Sequence, residues 1–179
     1  MTKVKVSNIF PNLIATKTLN LKDFKIEGSN FKKTFESQIK TTLKGKTQFN
    51  KKFIDCLNIS LTEMLNVLLK PYCKNYTFNV THIWINKYGK KDYQGSHVHP
   101  SDFSFILYYK TDKSHTIFNS PSKNLLECLN STIFDKHYEP NLKQGDILVF
   151  PSYLEHWVEP NSNNLTVSGN IKILKLTND

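Results

Sequence analysis

The stretch Gly145-Asp146-Ile147-Leu148-Val149-Phe150-Pro151-Ser152, with His156 four residues further on, decides how this chain is read. Gly145-Asp146 suits a tight turn, Ile147 through Phe150 form an unbroken apolar run of strand length, and Pro151 forces a bend. His156 then stands at the start of the next strand-like segment, 155–159 (EHWVE).

Working outward, Gly95 precedes Ser96-His97-Val98-His99-Pro100, and the apolar segment 103–110 (FSFILYYK) comes next. Residues two apart on a strand point the same way, so His97 and His99 can offer two imidazoles to one point if the strand extends that far. His156 would complete a face of three from another strand. Neutral imidazole suits Fe(II), Zn, Cu, Ni and Mn, so ligand type alone leaves the metal open. His82, His115 and His137 read as surface or packing residues, and Trp84 and Trp157 as core.

The same strand punctuation runs through the C-terminal half. Segments 76–88, 103–110, 114–118, 145–150, 155–159 and 165–176 are β-branched and aromatic, separated by Gly, Pro, Asn or Ser, and read as strands. The N-terminal part differs. Residues 4–18, broken by Pro11, read as one or two edge strands, and Phe31, Phe35, Ile39 and Leu43 predict a helix over 31–45 that Gly45 ends. A longer helix is predicted from Asn50 as cap to Pro71, with Phe53, Leu57, Leu61, Met64, Leu65, Leu68 and Leu69 on one wide apolar face. Two helices followed by six or more strands predict a mostly β fold, a sandwich or barrel with two or more N-terminal helices packed on one sheet. The long irregular insertion 119–143, with Tyr138, is where substrate-binding loops are expected.

At 179 residues and 39% hydrophobic, the chain suits one domain with a substantial core. In this reading 1–74 supplies edge strands and supporting helices, and 75–179 forms the core that carries the metal site. No apolar run approaches the roughly 20 residues needed to span a bilayer, so no membrane partner is expected. The net charge is +9, and all 24 basic residues are lysine: the sequence contains no arginine. The lysines are scattered from Lys3 to Lys175, as on a solvated surface. Without guanidinium groups there is neither bidentate reading of guanine nor guanidinium stacking on bases, which disfavours nucleic acid as the main partner. Cys56, Cys73 and Cys128 form no metal or disulfide spacing, and the opening MTKVKVSNIF lacks the apolar core of a signal peptide. A reducing, cytoplasmic location is the expectation, in the host cytoplasm if the source is viral.

Taken in order, Trp84-Ile85-Asn86 with Tyr88-Gly89, Ser96 through Pro100, Ser104 through Tyr109, Phe150-Pro151-Ser152, His156 through Pro160 and Ser168-Gly169-Asn170 resemble the double-stranded β-helix (jelly-roll) proteins. Within these, the sequence is similar to the prolyl-4-hydroxylase-related 2-oxoglutarate/Fe(II) oxygenases common in marine bacteria and phages, over about residues 80–172. The resemblance implies a dioxygenase that hydroxylates a substrate C–H bond, with a peptidyl proline as one such substrate, and releases succinate and CO2. Its cofactors would be Fe(II), 2-oxoglutarate and O2, and its substrate a peptide or a small molecule. A cupin-type metal enzyme or sensor that does not use 2-oxoglutarate is the alternative.

The resemblance further implies that His97, His99 and His156 hold the metal, with His99 where many relatives carry a carboxylate. Asp102 is the alternative acidic ligand, or a group that orients a histidine. Relatives hold the far carboxylate of 2-oxoglutarate with an Arg or Lys just before the segment matching Ser168-Gly169-Asn170. Here that region reads Asn163-Asn164-Leu165-Thr166. Lys110 is the first expectation for that role, with Tyr108 on its strand face, and Lys172 the second. Asn86, Tyr109 and Thr166 would add neutral hydrogen bonds.

Overall fold

The computed structural model describes residues 4–9, 12–26, 32–33, 40–41, 49–130 and 132–177. In chain order the elements are β1 (Lys5–Ile9), β2 (Asn12–Thr18), β3 (Lys32–Lys33), β4 (Lys40–Thr41), α1 (Lys51–Leu69), β5 (Asn75–Lys87), β6 (Asp92–His97) and β7 (Phe103–Lys110). They continue as β8 (Thr116–Asn119), α2 (Lys123–Cys128), β9 (His137–Tyr138), β10 (Asp146–Pro151), β11 (His156–Asn161) and β12 (Leu165–Thr177). Among the described residues the strands form an eight-stranded sheet, β1-β2-β10-β7-β12-β5-β4-β3, and a four-stranded sheet, β6-β11-β8-β9. Every pairing is antiparallel. This is the mostly β fold expected from the strand pattern, and the jelly roll that the resemblance implies.

β10 shows why its sequence is apolar throughout. Ile147 and Val149 join the cluster under α1, whereas Leu148 and Phe150 join the cluster between the two sheets. A strand buried on both faces has no polar side to alternate with. Gly145 adopts φ +93° in the turn before it, a region that favours glycine, and a Cβ there would meet Leu19 O at 3.2 Å.

Helix α1 forms as predicted. The Asn50 side chain accepts from Phe53 N at 2.8 Å, and Phe53, Leu57, Leu61, Met64, Leu65, Leu68 and Leu69 are buried. They pack on Ala15, Ile85, Phe105, Leu107, Ile147 and Val167 of the large sheet, each such aliphatic or aromatic side chain contributing about 1.5–3 kcal/mol on burial. The other expected N-terminal helix differs. Phe31, Phe35, Ile39 and Leu43 lie outside the described residues, and Lys32–Lys33 and Lys40–Thr41 within that stretch are strands β3 and β4, with β4 pairing β5. The pairing with β5 satisfies the backbone where a helix would have left the sheet edge open. Of the two strands expected over 4–18, β1 is an edge strand and β2 lies between β1 and β10. The insertion 119–143 contributes the short α2 and β9. Among the described residues, no helix is long and apolar enough to cross a membrane.

Candidate active site

The space between the sheets is organised in rungs. On the large sheet, Trp84, Ser168 and Ile106 are paired across β5, β12 and β7, and one rung further on come Asn86, Thr166 and Tyr108. On the small sheet, His97, His156 and Phe118 are paired across β6, β11 and β8, followed by Gln94, Val158 and Thr116. Both sets, Phe118 excepted, line one cavity with about 520 Å3 of empty space, open mouth included.

At the first rung, one nitrogen from each of His97, His99 and His156 lies within 4.8 Å of the others. His97 Nδ1 is 2.8 Å from Gly95 O and His156 Nδ1 is 2.9 Å from Leu154 O. A carbonyl only accepts, so both Nδ1 atoms carry the proton and both Nε2 lone pairs are left to face inward. Burial, followed by the neighbouring His97, lowers the His156 pKa to about 3, and the same two causes lower that of His99 to about 4. Both rings are therefore neutral at physiological pH, the form that ligates a metal. Gln94 Nε2 lies 3.2 Å from His97 Nε2, and Gln94 Oε1 accepts from the Tyr88 hydroxyl at 3.4 Å.

His99 lies just past β6, and its place is set by Ser152. His99 N donates to Ser152 O at 3.0 Å, Ser152 N donates to Asp102 O at 3.1 Å, and the hydroxyls of Ser104 and Ser152 are 2.7 Å apart. The Asp102 carboxylate accepts from Ile173 N at 2.7 Å and from Lys172 Nζ at 3.0 Å, which directs it to the β12 backbone and not to the histidine cluster. These bonds tie the loop that carries His99 to β12.

Away from the histidines the cavity is neutral and rich in hydroxyls. Tyr108 Oη donates to Thr116 Oγ1 and accepts from Ser114 Oγ, both at 3.0 Å, and the Tyr88 hydroxyl is bonded to Thr166. Burial raises the Tyr108 pKa to about 12 and that of Tyr88 higher still, so both phenols remain protonated. Asn161 Nδ2 donates to Glu159 O at 2.8 Å, and its buried Oδ1 is left without a hydrogen-bond partner. Among the described lining residues there is no Asp or Glu, and one lysine, Lys113, more than half exposed and 3.5 Å from Glu139.

The lysines expected to meet a carboxylate lie elsewhere. Lys110 is exposed and does not line the cavity, because the pairing of β7 with β12 shifts between Leu165 and Thr166 and breaks the alternation that would have put it beside Tyr108. Lys172 is ion-paired with Asp102 on the outside. Asn86, Tyr108 and Thr166 do line the cavity, whereas Tyr109 packs against the cluster under α1. Trp84, expected in the core, lies in the cavity wall with its ring 5.5 Å from that of His99; Trp157 stacks edge-on to His137 at 5.2 Å. The sequence reading missed Gln94, Lys113, His115, Asn161 and Asn164 as lining residues. Asn164 alone had a signal, its place in the segment where a cation was sought.

Two antiparallel sheets around a cluster of three histidines define a jelly-roll fold with a candidate metal site. Residues 82–168, just under half of the chain, match the family described as "Putative 2OG-Fe(II) oxygenase", enzymes that require Fe(II), 2-oxoglutarate and O2. A comparison with curated proteins gave no match. Solved structures share the fold: a Pseudomonas putida prolyl-4-hydroxylase (14% identity, 80% of this chain and 77% of that one, TM-score 0.53) and OsALKBH1 (11%, 93% and 99%, 0.56). HygX from Streptomyces hygroscopicus, solved with nickel, 2-oxoglutarate and hygromycin B bound, is similar over 88% of this chain and 76% of that one (12%, 0.51).

The residues present fit these groups. Three converging imidazoles, two of them with tautomers fixed by carbonyls, suit Fe(II), and a cavity wall of hydroxyls and amides without a described acid suits an anionic co-substrate.

Proposed function

We propose that the chain hydroxylates a C–H bond of a peptide or small-molecule substrate, with His97, His99 and His156 as the three ligands of Fe(II). The convergence of the three histidine nitrogens within 4.8 Å carries this reading. Bound iron and 2-oxoglutarate supply the oxidising chemistry when O2 is present; the protein orients the partners and keeps water out. His97 and His156 are locked through their Nδ1 protons, and His99 is held by the Ser152 main chain. Asn86, Tyr108 and Thr166 would bind the co-substrate as neutral donors, with Tyr88 behind them. Trp84, packed on His99, shields that side of the cluster.

The fold shared with a prolyl-4-hydroxylase supports a peptidyl proline as one substrate, and the fold shared with HygX supports a small polar molecule as the other. Anaerobic addition of Fe(II) and then 2-oxoglutarate is expected to produce a weak visible charge-transfer band, followed in air by succinate release. Metal bound without that band would overturn the proposal.

A further inference from the structure

Among the described residues, the cluster contains three histidines and no carboxylate, and the cavity wall contains no lysine except Lys113, which is more than half exposed. Three neutral imidazoles leave the full charge of a divalent ion uncompensated, and a dicarboxylate cancels that charge. Apart from the His115 imidazole, 3.3 Å from Asp112, the other described lining groups are neutral hydroxyls, amides and apolar side chains, among which any further charge would stand alone at low dielectric and be costly.

We propose that the charge of the bound 2-oxoglutarate is balanced at the metal and not by a cation near its far carboxylate, so that the all-histidine cluster and the neutral cavity depend on each other. This rests on the function proposed above. Three observations carry it. Asp102, three residues beyond His99, is bound to Ile173 N and Lys172, and Glu155, next to His156, accepts from Asn119 Nδ2. Lys110 and Lys172 both lie outside the cavity. The groups around the second rung are donors that keep their protons: Tyr88 and Tyr108, both buried, with Thr116, Thr166 and Asn86 beside them. Such groups hydrogen-bond a carboxylate without adding charge. A neutral cradle of this kind works only while the metal retains its whole charge.

The test is the dissociation constant of 2-oxoglutarate, read from the anaerobic Fe(II) charge-transfer band and by calorimetry, with metal content measured in each variant. His99→Asp, which adds a carboxylate ligand, is expected to weaken 2-oxoglutarate at least about tenfold, and His99→Asn, which adds none, less than about threefold. In the His99→Asp background, Asn164→Lys is expected to recover most of the loss, because Asn164 is buried in the cavity wall. In the otherwise unchanged protein the same Asn164→Lys substitution should gain less than about threefold, an arm that stands even if His99→Asp loads metal poorly. Lys113→Met should likewise change binding less than about threefold. A tenfold gain from Asn164→Lys alone, or a tenfold loss from Lys113→Met, would show that a cation is wanted or used and overturn the charge balance, as would a His99→Asp protein that holds metal and binds 2-oxoglutarate normally. If the unaltered protein binds Fe(II) but not 2-oxoglutarate, the functional reading fails as well.

Discussion

His97 and His156 face each other across β6 and β11, and each gives its Nδ1 proton to the carbonyl two residues before it, Gly95 for the first and Leu154 for the second. The same local device thus prepares two ligands from strands distant in sequence. Replacing either imidazole by Ala is expected to lower Fe(II) affinity more than about a hundredfold, beyond the range typical for groups that merely support a ligand. Equilibrium dialysis against Fe(II) under nitrogen checks this, and near-normal binding by His156→Ala would remove His156 from the ligand set.

The buried histidines set a pH dependence for the metal-free protein. The folded-state pKa values of His156 (about 3) and His99 (about 4) lie below the unfolded value of 6.5, so between these limits the unfolded chain binds more protons. Stability should therefore fall as pH drops from about 6.5 toward 4. Urea midpoints measured with chelator present report the slope, and a His99→Asn/His156→Asn double variant should flatten it.

Asp102 separates a ligand from a support. If it orients the loop through Ile173 N, Asp102→Asn should cost about 1–3 kcal/mol of stability, since one bond to a charged group is weakened, and should leave Fe(II) affinity within about tenfold. Complete loss of metal in a folded Asp102→Asn protein would make it a ligand. Lys172→Met, which removes an exposed ion pair, should cost under about 1 kcal/mol.

Gly169 is required for space. A Cβ there would lie 2.4 Å from the Phe105 ring and 2.6 Å from His82 O, so Gly169→Ala should destabilise by about 1–3 kcal/mol in thermal or urea unfolding. Relief by a second substitution, Phe105→Leu, would identify the ring as the obstacle.

Much of this architecture was legible because burial on both faces leaves a plain signature. The run Ile147 to Phe150 and the face of α1 are apolar for reasons of packing, and both were readable. β6 was not, since Asp92-Tyr93-Gln94-Gly95-Ser96-His97 turns polar side chains toward a cavity and so lacks apolar alternation. The three histidines were found from their spacing and neighbours, although His99 lies beyond the strand that was to aim it and depends on Ser152 instead. Lys110 is expected from the resemblance, at the end of the strand after the histidine pair, and from the face it shares with Tyr108 by period-two counting; one irregularity between β7 and β12 invalidates the second ground. Lys113 and His115 lie in the loop before β8, where no periodicity exists to show what they face.

Ser152 is the point at which the two ends of the metal site meet. Its main chain grips His99 and Asp102, its hydroxyl meets Ser104, and it stands just past the end of β10, which pairs with β7. A one-residue slip of β10 on β7 would reverse the facing of Leu148 and Phe150 and also carry His156 away from His99. With the proposed ligand set, metal uptake should therefore depend on strand alignment and be open only to chains whose large sheet has closed correctly. In refolding experiments with Zn(II) as a redox-inert reporter, capture should coincide with the last phase, and earlier capture would show that the ligands can gather before the sheet is in register.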